Sequence, residues 1–78
     1  MVVSNRIISC MTEVRITARK LNCTVVAVLG AIILCQSDDC SYITWRVSVS
    51  DMGIDFLSGC YDLTKQAGRD NLIVRSLT

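Results

Sequence analysis

The sequence predicts one small α+β domain, an antiparallel sheet built around a central β-hairpin at about residues 42–58, with one or two helices packed on one face. Three observations lead to this fold class. Apolar and polar residues alternate after residue 42, which indicates a strand with one buried face. An uncharged run rich in β-branched residues precedes that strand, and a segment with helical spacing follows the hairpin. The 78 residues have the size of a single domain, 1–78, near the lower limit for one hydrophobic core.

Residues 1–21 fit two kinds of element. Apolar residues recur at helical spacing between Ile7 and Leu21, and Ser4 is available as an N-cap. Residues 12–19, however, alternate between apolar and polar side chains and are rich in β-branched residues, which lose rotamer freedom in a helix. We therefore expect a strand over residues 12–19, and either a short helix or an arm over residues 1–10.

Residues 21–35 form the most apolar stretch and contain no charged side chain. A membrane-spanning helix needs about 20 such residues, so this stretch is short for one. Val25, Val26 and Ile32 favour strands, and Gly30 fits either a bend between two short strands or a close helix contact. Periodicity does not separate a strand from a helix in a continuous apolar run, so a buried helix and a membrane segment remain as alternatives.

The hairpin is the clearest element of the sequence. Asp51 and Met52 precede Gly53, which is free to adopt positive φ in a tight turn. The alternation resumes at Ile54 and continues through Phe56, which predicts the second strand. The apolar face of the first strand carries Ile43, Trp45, Val47 and Val49, and its polar face carries Thr44, Arg46, Ser48 and Ser50.

The last segment is predicted to be a short helix followed by a short strand. Residues 58–59 are expected to end the hairpin, and Asp62 is expected to cap a helix. Asp70 stands where an apolar residue would complete the helical stripe. The helix is therefore expected to stop near Gly68, with residues 72–74 as a last strand.

The cysteine count favours a reducing compartment. Five is an odd number, whereas small secreted domains carry an even set that pairs off. Free thiols and a cytoplasmic location are the simplest interpretation. In the alternative, the basic residues before the apolar run belong to a signal peptide cleaved after Ser37. Residues 38–78 would then be secreted or membrane-bound, with Cys40 and Cys60 as one disulfide.

The sequence offers little for catalysis or metal binding. Histidine is absent, which removes the commonest general base and the commonest metal ligand. Cys60 precedes the predicted helix, but a packed thiol is the simpler interpretation. Asp38 and Asp39 fit a solvated turn better than a cation site. Cys35 and Cys40 have a spacing that zinc knuckles use, but no second close pair accompanies them. We expect no enzyme activity, no metal and no cofactor.

Because neither catalysis nor metal binding is expected, a protein-binding function is the remaining interpretation. The net charge of +1 builds no field for nucleic acid, which is not expected as a partner. We expect a small module that acts stoichiometrically on a larger protein, as inhibitors of the antitoxin or phage anti-defence (anti-CRISPR-like) type do. The 51% hydrophobic content favours a homodimer. The alternative is a membrane-associated or exported small protein with residues 21–35 as the apolar segment. The candidate contacts lie on the polar hairpin face and the helix surface: Thr44, Arg46, Ser48, Ser50, Asp55, Lys65, Gln66 and Arg69.

Overall fold

The computed structural model describes residues 5–77. Its four strands form one antiparallel sheet in the order β1-β2-β3-β4, so each strand pairs with its neighbours in sequence. This confirms the predicted α+β class with an antiparallel sheet. The elements are α1 (Asn5–Ser9), α2 (Met11–Lys20), β1 (Cys23–Leu29), β2 (Ile32–Ser37), β3 (Tyr42–Ser50), β4 (Gly53–Leu63) and α3 (Lys65–Ser76).

The helices are shared between the two faces of the sheet instead of lying on one. On the first face, Val14 and Ala18 of α2 pack with Ile33, Cys35 and Trp45 from the centre of the sheet. This larger cluster also takes in α1 and holds most of the buried apolar side chains.

The second face is covered by α3. Ile32 and Leu34 of β2 pack there against Leu72. Since Ile33 and Cys35 point to the other face, β2 is buried on both sides. A strand buried on both sides has a continuous apolar sequence without alternation. This explains why periodicity did not distinguish a strand from a helix there.

Residues 21–35 contain β1 and most of β2, so the strands that the β-branched content favoured are the elements observed. Gly30 lies between them with φ +60°, a left-handed conformation that glycine adopts at little cost. Of the roles that the sequence left open for Gly30, the bend between two strands is therefore the one observed.

The central hairpin is confirmed and is longer than predicted. Val49 pairs with Ile54, and Gly53 has φ +120° at the turn. The expected break at residues 58–59 is wrong, because β4 continues to Leu63. Its register with β3 shifts twice, and Ser58 and Asp62 have positive φ near those shifts. Bulges of this kind admit an extra residue without ending the pairing.

The expected strand over residues 12–19 is wrong, because this segment lies within α2. Val14 and Ala18, four residues apart, both have 0% exposure against the sheet. Burial on one helical face outweighs the weak strand preference of the β-branched residues. Residues 5–9 form α1, and residues 1–4, including the proposed cap Ser4, lie outside the described residues.

The expected end of the last helix near Gly68, and the strand over residues 72–74, are also wrong. The N-cap is Thr64 rather than Asp62, and its Oγ1 accepts a hydrogen bond from the Ala67 N–H at 3.1 Å. Gly68 marks a close approach rather than a helix end. A Cβ at this position would lie 2.9 Å from Leu34 Cδ1.

Candidate protein-binding surfaces

The β3–β4 hairpin projects beyond the rest of the sheet. Pairing of β3 with β2 reaches Arg46, and the Val47 N–H then donates to the Ala31 carbonyl at 2.8 Å. Within residues 5–77 the ladder of β3 with β2 ends there, and the ladder with β4 continues. We call residues 48–55 the hairpin arm. Val49 and Ile54 on its underside pack against the larger core cluster, which fixes its direction.

The tip of the hairpin arm presents an apolar side chain to solvent. Met52 is 96% exposed. Its N–H donates to Ser50 Oγ at 3.2 Å, and Ser50 Oγ donates to the Gly53 carbonyl at 3.4 Å. Ser50 thus closes the turn, and the turn holds Met52 outward.

Four of the predicted contact residues lie on the face of this hairpin that points away from the larger core cluster: Arg46, Ser48, Ser50 and Asp55. Ser48 stands opposite Asp55, and Arg46 stands opposite Leu57, which is itself exposed. Arg46 and Asp55 are diagonal neighbours, yet they form no ion pair within the described residues. The face therefore offers one positive and one negative group to a partner.

The fifth hairpin residue, Thr44, is not exposed, so its expected place on the polar surface is wrong. It is 0% exposed because α3 covers it. The Thr44 hydroxyl donates a hydrogen bond to Asn71 Oδ1. Arg75 Nη1 in turn donates to Thr44 Oγ1 at 3.0 Å and to the Thr44 carbonyl at 3.2 Å. Arg75 also lies 3.7 Å from Cys60 Sγ. This polar cluster fastens α3 to the sheet.

The predicted helix residues lie apart from the hairpin arm. Lys65, Gln66 and Arg69 are exposed near the start of α3, at the end of the sheet where Gly68 meets Tyr42. The hairpin arm grows from the opposite end of β3. The structure therefore does not bring the two predicted groups together.

Gln66 and Arg69 instead border an open groove of about 470 Å³ between α3 and β1. Its apolar wall includes Val26 and Ile73, which are 51% and 47% exposed. Asp70 lies on the rim and accepts a hydrogen bond from Gln66 at 3.0 Å. We call this the β1–α3 groove. Its complete lining is Val26, Ala27, Leu34, Gln66, Arg69, Asp70, Leu72 and Ile73.

The cysteines are all free thiols, and they do not form a reactive centre. Burial raises the pKa of the Cys35 thiol to about 12, and burial together with Asp38 raises that of Cys23. Raised pKa values keep both thiols protonated and unreactive at neutral pH. Cys60 lies within β4 and not before a helix. Within residues 5–77, no group of three or more cysteine or acidic side chains is placed to hold a metal ion.

The adjacent carboxylates of Asp38 and Asp39 have separate structural roles. Asp38 forms an exposed ion pair with Arg19 at 3.1 Å. Asp39 Oδ1 accepts hydrogen bonds from the Ser37 hydroxyl and from the Ser41 N–H and hydroxyl. These hydrogen bonds lower the pKa of Asp39 to about 2, and the bond from the Ser37 hydroxyl has the largest effect. The pair is part of a turn, as predicted.

Trp45 belongs to the core, as its place on the apolar face predicted. It is 5% exposed, packs 5.2 Å from the Phe56 ring centroid and donates its indole N–H to the Tyr61 hydroxyl at 3.3 Å. It is therefore not available to stack on a nucleobase.

Sequence reasoning missed the exposed apolar residues that distinguish these surfaces. Met52 carried a usable signal, because an apolar residue between Asp51 and Gly53 is unusual in a turn. Val26 and Ile73 carried none, because each sits in an apolar stretch whose buried members look the same.

Two broader findings bear on function. No helix within residues 5–77 is long and apolar enough to cross a membrane. Comparison with known proteins found no matching family model, no matching curated protein and no matching solved structure.

Proposed function

We propose that this chain is a small non-enzymatic module that binds a larger protein stoichiometrically, with the hairpin arm and the adjoining Arg46 and Leu57 as its contact surface. The observation that supports this most is the position of Met52, 96% exposed at the tip of a hairpin that projects beyond its sheet. The proposal of an inhibitor of the antitoxin or phage anti-defence type rests on analogy with that class of small, non-enzymatic binding proteins.

The hairpin arm is suited to binding because it is already ordered. Cross-strand pairs from Ser48–Asp55 to Ser50–Gly53 hold its two strands in register. Val49 and Ile54 fix its underside to the core. A preformed loop loses little conformational entropy on association, so more of the contact energy appears as affinity.

The side chains of the hairpin have two proposed roles: an apolar one anchors the partner, and charged ones select it. Met52 is flexible and polarizable, which lets it fill an apolar pocket of irregular shape. Arg46 and Asp55 have opposite charges and form no ion pair within residues 5–77, so they would select a partner with the complementary arrangement. Leu57 adds an exposed apolar contact at the base of the hairpin.

The test is affinity capture with the tagged chain as bait in an extract of its native host, followed by mass spectrometry. One dominant, stoichiometric protein is expected. The variants Met52→Ala and Arg46→Glu are expected to lose most of it, because each removes a contact from the hairpin surface. The matched control is Arg15→Glu, the same charge reversal on the exposed side of α2, which is expected to retain the partner.

Capture that is unchanged in both hairpin variants would show that the hairpin is not the contact surface. Circular dichroism of each variant establishes that it is folded. Once the partner is known, titration calorimetry with Met52→Ala is expected to show an affinity about tenfold weaker than that of the native chain, equivalent to about 1.4 kcal/mol.

A further inference from the structure

The two methionines that the structure describes differ in their access to solvent. Met52 is almost fully exposed at the tip of the hairpin arm. Met11 is partly buried at the start of α2 and packs against the larger core cluster. A small oxidant in solution reaches an exposed thioether more readily than one that packs against a core. Among residues 5–77, Met52 is therefore the methionine that is placed to react.

The turn that carries Met52 does not depend on the Met52 side chain for its shape. Ser50 Oγ accepts a hydrogen bond from the Met52 N–H and donates one to the Gly53 carbonyl, and Ser50 pairs with Gly53 across the hairpin. Gly53 supplies the positive φ of +120° that the turn uses. Since the thioether lies in water and not in this network, an oxygen atom added to its sulfur has room and leaves the fold unchanged.

Hydrogen peroxide is an oxidant whose chemistry fits this side chain, because it transfers an oxygen atom to a thioether directly. The sulfur lone pair attacks one peroxide oxygen, so that an S–O bond forms as the O–O bond breaks. The other oxygen leaves as hydroxide and takes up the proton of the transferred oxygen, which gives water. Sulfur is thereby oxidised by two electrons and the peroxide is reduced by two. Methionine sulfoxide reductases reverse the step: the oxygen leaves as water, and two thiols are oxidised to a disulfide.

Oxidation changes the property that the proposed function requires of Met52. The thioether is apolar, flexible and polarizable, whereas the sulfoxide is polar and chiral. An apolar pocket on the partner would have to bury the sulfoxide oxygen without a hydrogen bond, which is unfavourable. Oxidation of Met52 therefore weakens the contact, although the hairpin arm keeps its shape.

We propose that Met52 is a reversible modification site, and that its oxidation to methionine sulfoxide by hydrogen peroxide weakens the contact between the hairpin arm and its partner. The oxidation site follows from the exposure of the side chain, whereas its effect on binding rests on the proposed function. Reduction of the sulfoxide restores the apolar anchor. The hairpin arm thus alternates between a tightly binding and a weakly binding form.

The free thiols react with the same oxidant, and their products have to be separated from this one. Cys40 is exposed and is the thiol most open to peroxide. Thiols form sulfenic acids and disulfides, which dithiothreitol reduces, whereas methionine sulfoxide requires its reductases. A change in binding that persists in dithiothreitol and is reversed by the reductases is therefore caused by a methionine.

The first test measures where the oxygen atom is added. The folded full chain is treated with dilute hydrogen peroxide at neutral pH, the peroxide is removed, and the peptides are analysed by mass spectrometry after reduction with dithiothreitol. Met52 is expected to gain one oxygen atom at least about tenfold faster than Met11. In urea the two rates are expected to converge, because unfolding exposes Met11. Circular dichroism of the oxidised chain is expected to match that of the untreated chain.

The second test measures binding to the protein that the untreated chain captures, after that protein has been purified. Titration calorimetry is expected to give an affinity at least about tenfold weaker for the oxidised chain, equivalent to about 1.4 kcal/mol. Methionine sulfoxide reductases are expected to restore it. Each variant is compared with its own untreated form. Met11→Leu, the matched control, is expected to lose affinity on oxidation as the native chain does, whereas the affinity of Met52→Leu is expected not to change on oxidation.

Equal oxidation rates at Met52 and Met11 in the folded chain would overturn the assignment of the site. An oxidised native chain that binds as tightly as the untreated chain would overturn the effect on binding and leave the proposed function intact, and so would a Met52→Leu chain that loses affinity on oxidation. An untreated chain that captures no protein would overturn the proposed function and the effect on binding together. The oxidation site is decided by the peptide masses in every case.

Discussion

Replacing Leu72 by alanine tests how α3 is held to the sheet. Leu72 is 7% exposed and packs against Ile32 and Leu34 in the smaller of the two core clusters. The substitution removes three carbon atoms, worth about 0.8 kcal/mol each in transfer free energy. The remaining cavity adds to this, so the expected loss is about 3 kcal/mol, within the usual range of 2–5 kcal/mol.

A loss of this size is a large fraction of the stability of so small a domain, which is roughly 3–5 kcal/mol. Urea denaturation followed by circular dichroism is the assay, and the midpoint is expected to fall by roughly 2 M. Val74→Ala is the matched control, because Val74 is 61% exposed on the same helix and should change stability by about 0.5 kcal/mol or less. Equal midpoints for the two variants would refute the inference that Leu72 anchors α3.

Three further predictions address the polar cluster, the thiols and the acidic turn. Thr44→Val removes the buried hydroxyl that hydrogen-bonds to Asn71 and Arg75 and should cost about 1–3 kcal/mol by the same denaturation assay, whereas a neutral effect would contradict the cluster's role. With a thiol reagent at pH 8, Cys40 should react at once and Cys35 only after unfolding, because Cys35 is buried and its pKa is raised to about 12; equal rates for single-cysteine chains would contradict this. The pKa of Asp39 is lowered from 3.8 to about 2, so its stabilising effect is complete above about pH 4 and is lost as the pH falls through 2. Asp39→Asn should therefore melt below the native chain at pH 7, and the difference should disappear near pH 2; a difference that persists at that pH would show that the carboxylate charge is not its cause.

The sequence predicts correctly the strand whose two faces lie in different environments. The hairpin was predictable because β3 has a buried side and a wetter side, which the alternation records directly. For β1 and β2, β-branching favoured strands, but the continuous apolar run left a buried helix or a membrane segment as alternatives. The helix α2 was not predictable, because the apolar positions of residues 12–19 satisfy a short alternation as well as a helical face. Contact with the sheet decides between them, and that contact is not a local property.

The candidate surfaces were predictable to a smaller degree. Arg46 and Asp55 were placed on one face because strand alternation fixes the side to which they point. Thr44 lies on the same side, but whether that position is wet depends on where α3 packs, which no local pattern states. Gly68 was interpreted as a helix end because its role, close approach to Leu34, is visible only in three dimensions.

The order of the strands has a consequence for how the chain folds. Because neighbouring strands are also consecutive in sequence, every strand pairing closes a short loop, and contacts of low sequence separation favour rapid folding. During synthesis, β1 to β3 are complete before α3 has been made. The face that carries Ile32 and Leu34 is then uncovered until Leu72 arrives. α3, which is synthesised after the whole sheet, therefore completes the smaller core cluster, and a chain truncated before α3 would expose Ile32 and Leu34 to solvent.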